Sequence, residues 1–229
     1  MKIKKIQTIA ITFLLATTTF TNISEAKQST NTNPWGYTGL INMPTGDVGN
    51  GDLYITTNYF FRTPGFSINT HLSIFDRFEL GLVGGTPSLG LNPIAGNLKY
   101  QIIKPTSKEP TSLALGLNLL GLSNTSKLTN GNYLYMVMSH DFNLPLKNNT
   151  AYNIFSGHLG FGGNLDGARL MAGIDIPVTD YVNIEAEYLG KIASSSEMIN
   201  FGIKAKPIPN LQGFTLSFLT MGTNLTDGF

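Results

Sequence analysis

The chain has 229 residues, no cysteine and a formal net charge of +1, and only 13% of it is charged. Near-neutrality argues against nucleic-acid binding through a basic surface, and the absence of cysteine excludes disulfide staples, so strand pairing and burial must hold an exported fold. The charged fraction is about half the ~25% usual for soluble domains.

Residues 1–26 read as a secretory signal peptide. Lys2, Lys4 and Lys5 give a cationic start, Ile9 to Leu15 a short apolar run, and Ser24-Glu25-Ala26 a small-x-small cleavage site. Thr8, Thr12 and Thr17 to Thr19 interrupt the apolar stretch, which falls short of the ~20 residues of a bilayer helix. No later segment reaches that length either. Residues 27–51 form an N-terminal leader and entry segment. Its first part is rich in Ser, Thr and Asn, and its second, Trp35 to Gly46, reads WGYTGLINMPTG.

From Asp52 onward, period-two alternation dominates. Asp52 to Arg62 is the first long strand. Phe66, Ile68, Thr70, Leu72 and Ile74 then alternate with Ser67, Asn69, His71 and Ser73; Asp76-Arg77 turns the chain into Phe78 to Gly85. Ile94 to Ile103 and Leu113 to Leu119 alternate again. Tyr133 to Phe142 and Tyr152 to Gly162 follow with apolar residues on both faces. Arg169 to Ile176, ending at Pro177, then Val182 to Tyr188, Ile199 to Ala205 and Phe214 to Phe218 complete 11 strand candidates. No apolar stripe of helical period and length lies between them.

The two faces differ in a telling way. One is bulky and aliphatic, with rings such as Tyr100, Tyr188 and Phe214; the other carries Gly, Asn, Ser, Thr and a few opposite charges. Aliphatic residues against lipid and small polar residues within are the pattern of an outer-membrane barrel. An open sheet edge in hydrocarbon would leave backbone groups unpaired at several kcal/mol each. The expected fold is therefore all-β: a closed antiparallel up-and-down transmembrane β-barrel of about 10–12 strands over residues 52–229.

Short turns belong on the periplasmic side, which places Asp76-Arg77 and Pro177 to Tyr181 there and Thr86 to Pro93, Asn124 to Gly131, Gly163 to Gly167 and Lys191 to Glu197 outside. With 11 strands the last ends on the wrong side, so a twelfth from Gly222 to Phe229 is favoured over a count of ten. Phe229 is either an aromatic assembly signal or a chance terminus.

Several stretches resemble the YjbH-like family of outer-membrane barrels. They are GYTGLINMPTG with Gly36, Gly39, Leu40, Ile41, Asn42, Pro44 and Thr45, IFDRFELGL from Ile74, GNLKYQI from Gly96, and AGIDIPVTDYVNIEAEY from Ala172. The resemblance implies a Gram-negative outer-membrane barrel with a role in exopolysaccharide or envelope export; members of that family can be much longer, with more than one barrel-like region, whereas this chain holds one. Its implied partners are outer-membrane lipid and polysaccharide or export proteins.

Candidate site residues come from two places. Glu79, Lys99, Arg169, Asp175, Glu185, Glu187 and Lys204 fall on the polar face. They either line a water-filled path or pair and fill a narrow interior, and the small strand number favours the second. In the opening motif, Gly36 and Gly39 permit close backbone approach and Pro44 ends pairing. Gly36, Gly39, Asn42 and Pro44 read as an entry strand or plug against the wall, with a handle for a periplasmic partner as the alternative.

No cofactor fingerprint, metal-ligand pair or catalytic residue emerges. His71 and Ser73 form an H-x-S pair, but strand positions i and i+2 lie about 6.5–7 Å apart, too far for a proton relay. The expected function is thus a non-enzymatic export barrel; a filled structural or adhesive barrel whose outward loops bind a partner is the alternative.

Overall fold

In a computed structural model, the protein is described over residues 18–21, 39–40, 43–49, 53–60, 65–85, 95–106, 108–119, 133–145, 151–164, 167–179, 182–191, 197–205 and 216–221. All regular structure there is strand: β1 (Thr18–Thr21), β2 (Leu53–Phe60), β3 (Gly65–Ile74), β4 (Phe78–Gly85), β5 (Ala95–Ile103), β6 (Thr111–Leu119), β7 (Tyr133–Pro145), β8 (Ala151–Asn164), β9 (Gly167–Thr179), β10 (Val182–Leu189), β11 (Met198–Ala205) and β12 (Leu216–Met221). Each pairs antiparallel with its neighbours in sequence, giving one up-and-down sheet. Among the described residues no ladder joins β12 back to β1 or β2. Strands β2 to β12 coincide with the candidates drawn from alternation. The suggested strand over Gly222 to Phe229 lies outside the described residues.

β1 falls inside the stretch read as an export signal and pairs with β2 from Thr18↔Thr57 to Thr21↔Tyr54. Cleavage after Ala26 would remove it and free that edge of β2.

The β3–β4 turn shows how local chemistry sets register. Phe75 and Asp76 both adopt positive φ, 53° and 54°, and the Arg77 amide donates to the Ile74 carbonyl at 3.3 Å. That is the mirror-image turn whose twist matches the flanking strands. Asp tolerates this conformation; Phe does so at a cost.

Pro177 does not end its strand, contrary to expectation. β9 runs to Thr179, and the register steps between Val182 and Asn183, so that Asn183 faces Pro177 and Val182 faces Thr179. The bulge absorbs a proline that cannot donate to the ladder.

The faces are sorted opposite to those of a water-soluble sheet. Ser67, Asn69, His71, Glu79, Asn97, Lys99, Gln101 and Glu185 are buried, while Ile68, Leu80, Leu98, Leu134, Phe161 and Leu170 are exposed. One outward row pairs Leu53, Leu72, Leu80, Leu98, Leu117 and Leu134 directly across β2 to β7. A continuous apolar surface of this kind marks contact with something other than water. β7 owes its unclear pattern to Tyr133, Tyr135 and Val137, which point to the buried side between exposed Leu134, Met136 and Met138.

Residues 39–40 and 43–49 supply what covers the polar face. Gly39 and Pro44 are bridged, and the Leu40 amide donates to the Met43 carbonyl at 2.9 Å, so the segment is a tight loop. Its Gly39 carbonyl accepts from Lys204 on β11 and its Thr45 carbonyl from Lys99 on β5. In a flat sheet those strands would stand about 29 Å apart, six spacings of ~4.8 Å. A bridged loop cannot span that, so the sheet must curl round it.

Candidate functional site

The site is the buried polar face together with the loop it holds. Two inner clusters face each other across the loop. The first joins β3, β4 and β5, where register puts Ser73 opposite Glu79 and Glu79 opposite Lys99. The Lys99 ammonium lies 3.0 Å from the Glu79 carboxylate, and His71 Nε2 lies 3.3 Å from the same oxygen, all fully buried. The second joins β10 and β11. There Lys204 Nζ meets Glu185 at 2.7 Å, and Glu187 accepts from the Asn200 amide at 2.7 Å.

Burying charges costs free energy unless each is paired and hydrogen-bonded. Each has an ionic or hydrogen-bonding partner, Glu185 through its ion pair with Lys204, which explains how Glu79, Lys99, Glu185, Glu187 and Lys204 can all sit at or below 5% exposure.

The two remaining candidates lie on the same side but less deep. Arg169 is half-buried, with its guanidinium 5.5 Å from the centre of the Tyr133 ring. Asp175 is half-buried and accepts from Asn183 at 3.4 Å. All seven charges lie on this side of the sheet.

The loop is gripped mainly through its backbone. Besides the Lys99 and Lys204 contacts, the Met43 amide donates to Glu187 at 2.9 Å. The Gln101 amide donates to the Gly46 carbonyl at 2.9 Å, and the Gly46 amide donates to the Ser139 hydroxyl at 2.7 Å. Side chains meet as well, the Ser112 hydroxyl donating to Asp47 at 2.9 Å.

Apolar anchors complete the fit. Leu40 and Met43 are fully buried with Met171, Tyr133, Tyr135 and Leu189. A side chain at Gly173 would run into Leu40, and a Cβ at Gly160 would stand 3.0 Å from Met171 and 3.4 Å from Met43. These glycines are the pits into which the loop's side chains fit.

Of the opening motif, Gly39 and Pro44 form the bridge, and a Cβ on Gly39 would collide with the Met43 carbonyl. That is the close backbone approach expected there. Gly36 and Asn42 lie outside the described residues.

A second glycine device shapes the wall itself. Gly116 sits opposite Tyr135 and Gly162 opposite Tyr135's other side, next to Tyr133. A Cβ at Gly116 would strike the Tyr135 ring, and one at Gly162 would approach Tyr133 to 2.9 Å. The tyrosines thus lie flat over glycine, and the Asn97 amide donates to the Tyr135 hydroxyl at 3.3 Å. The sequence signal for this is a small residue on one strand facing a large one on the next, legible only once register is known. Gln101, Ser112, Ser139 and Asn200 were likewise not singled out, because polar-face membership says nothing about what each touches.

The H-x-S reading needs correction. Ser73 Oγ reaches His71 Nε2 at 3.2 Å, because the side chains lean together across a backbone spacing that alone would part them. Yet Glu79 approaches the same ring nitrogen, whereas a nucleophile–base relay places its carboxylate on the other one. His158 is buried and its Nδ1 lies 2.7 Å from the Ser139 hydroxyl. His140 faces the other way, against Thr111 at 2.7 Å and the Phe142 ring. Among the described residues no three His, Cys, Asp or Glu converge as metal ligands. The chain matches no protein-family model, no curated protein and no solved structure.

Proposed function

We propose that the protein is a non-enzymatic β-barrel of a bacterial outer membrane, exported by its N-terminal signal, that serves envelope or exopolysaccharide export. The observation that carries this reading is the sorting of its faces: ion pairs and amides are buried, and leucines are exposed in register from strand to strand. Lipid is the solvent that makes such a surface stable, and closure of the sheet satisfies its edges there. Closure by a strand after β12, from Gly222 to Phe229, would give an even count once the signal is removed. The export role rests on the YjbH-like resemblance of the opening motif and strands.

A second reading is favoured by the seated loop. With 39–49 between β5–β7 and β9–β11, the interior is occupied, as in a structural or adhesive barrel whose outward loops meet a partner.

Fractionation tests the barrel. The mature protein should stay with the outer membrane through salt and carbonate washes, and its band should shift on boiling in SDS. Recovery as a soluble periplasmic species would overturn the proposal. Conductance then separates the two roles: a steady, ion-selective pore that responds to Lys99→Glu or Arg169→Glu favours export.

A further inference from the structure

We infer that the loop 39–48 is a displaceable ligand of the interior, and that the wall beneath it forms a binding site built to be vacated and wetted. The inference rests on the barrel reading and adds a moving part to it.

The first argument is what departure of the loop would leave behind. Lys99 keeps Glu79 at 3.0 Å, Lys204 keeps Glu185 at 2.7 Å, and Glu187 keeps Asn200 at 2.7 Å. No wall charge depends on the loop for its partner. The groups that let go are loop backbone groups, the Asp47 carboxylate and the wall side chains that grip them, Glu187 Oε2 among them, and water satisfies all of these equally well.

The second argument is the composition of the wall. An interior filled permanently would gain by being apolar, since buried ion pairs are commonly no better than well-packed hydrophobic residues of similar volume. Here Asn69, Asn97, Gln101, Ser112, Ser139 and Asn200 line it beside the ion pairs. That lining is costly when dry and at ease when wet.

The third argument is how the loop is attached. Its bridge is internal, Gly39 to Pro44. Among the described residues no ladder of the sheet includes it. Leu40 and Met43, seated against Gly173, Gly160 and Met171, give it a specific apolar hold. The site therefore recognises a tight loop that offers two neighbouring apolar side chains and free backbone groups at either end.

The test uses purified barrels in planar bilayers. Gly173→Leu fills the pit that receives Leu40, and deletion of residues 36–48 removes the loop. Each should turn a silent or rarely open barrel into a steadily conducting one. A synthetic peptide covering residues 36–48 should close the deleted barrel in a dose-dependent way, and the same peptide with Leu40→Asp and Met43→Asp should not.

A tether guards against a merely misfolded variant. The side chains of Asp47 and Ser112 meet at 2.9 Å, and the chain has no other cysteine, so Asp47→Cys with Ser112→Cys gives a reducible link. Added to Gly173→Leu, the oxidised link should hold the channel shut and reduction should open it. Variants that still shift on boiling in SDS yet remain silent, or an opening indifferent to reduction, would overturn the inference while leaving the barrel standing. Loss of the boiling shift from the unaltered protein would instead sink the barrel reading itself.

Discussion

Placing a charge on the outward face measures directly what that face touches. Leu98 lies within β5, 48% exposed, paired with Leu80 on one side and Leu117 on the other. Ile103, 46% exposed, ends the same strand. Five residues separate them, about 16 Å along the strand at ~3.3 Å each, or about 13 Å of depth at a ~40° tilt. That is half of an apolar band about 25 Å tall. If lipid covers the face, Leu98→Lys should cost about 2–4 kcal/mol and Ile103→Lys about 0–1 kcal/mol. If water covers it, both should fall within about ±0.5 kcal/mol, as ordinary surface changes do. Guanidinium unfolding of the protein in lipid vesicles, followed by tyrosine and tryptophan fluorescence, reads the difference. Equal, small costs at the two positions would refute a lipid-facing leucine row.

Other expectations follow from the interior and the loops. Glu79→Ala strands the fully buried Lys99 and should destabilise the protein by about 3–5 kcal/mol in detergent, with Glu79→Ala plus Lys99→Ala costing less than the sum of the two single changes. Gly116→Ala drives a methyl into the Tyr135 ring and should cost about 1–3 kcal/mol, recovered in large part when Tyr135→Val is added. N-terminal sequencing of the exported protein should begin at Lys27; retention of Thr18 to Thr21 would show instead that β1 stays in the sheet. Cysteine at Ser194, between β10 and β11, should label on intact cells, and labelling only after lysis would reverse the assignment of sides.

What the sequence determined is local and periodic. Alternation of Phe66 to Ile74 and of Phe78 to Val83 placed β3 and β4, because a strand's two faces meet different surroundings and each residue reports its own. The same rule put Glu79, Lys99, Glu185 and Lys204 together on one side without naming their partners. Pro177 misled because a bulge beside it in the β9–β10 ladder absorbs it, and Ser73 misled because backbone spacing does not fix where flexible side chains meet. Only the tertiary structure decided that Leu40 enters the pit at Gly173, that Tyr135 lies over Gly116, and that Lys99 and Lys204 grip one loop from opposite walls. These contacts join residues from 19 to 165 positions apart; the Tyr135–Gly116 contact follows from the β6–β7 register, and those of the loop exist only because the curl of the sheet brings distant strands face to face, a property of many ladders acting at once that no single segment encodes.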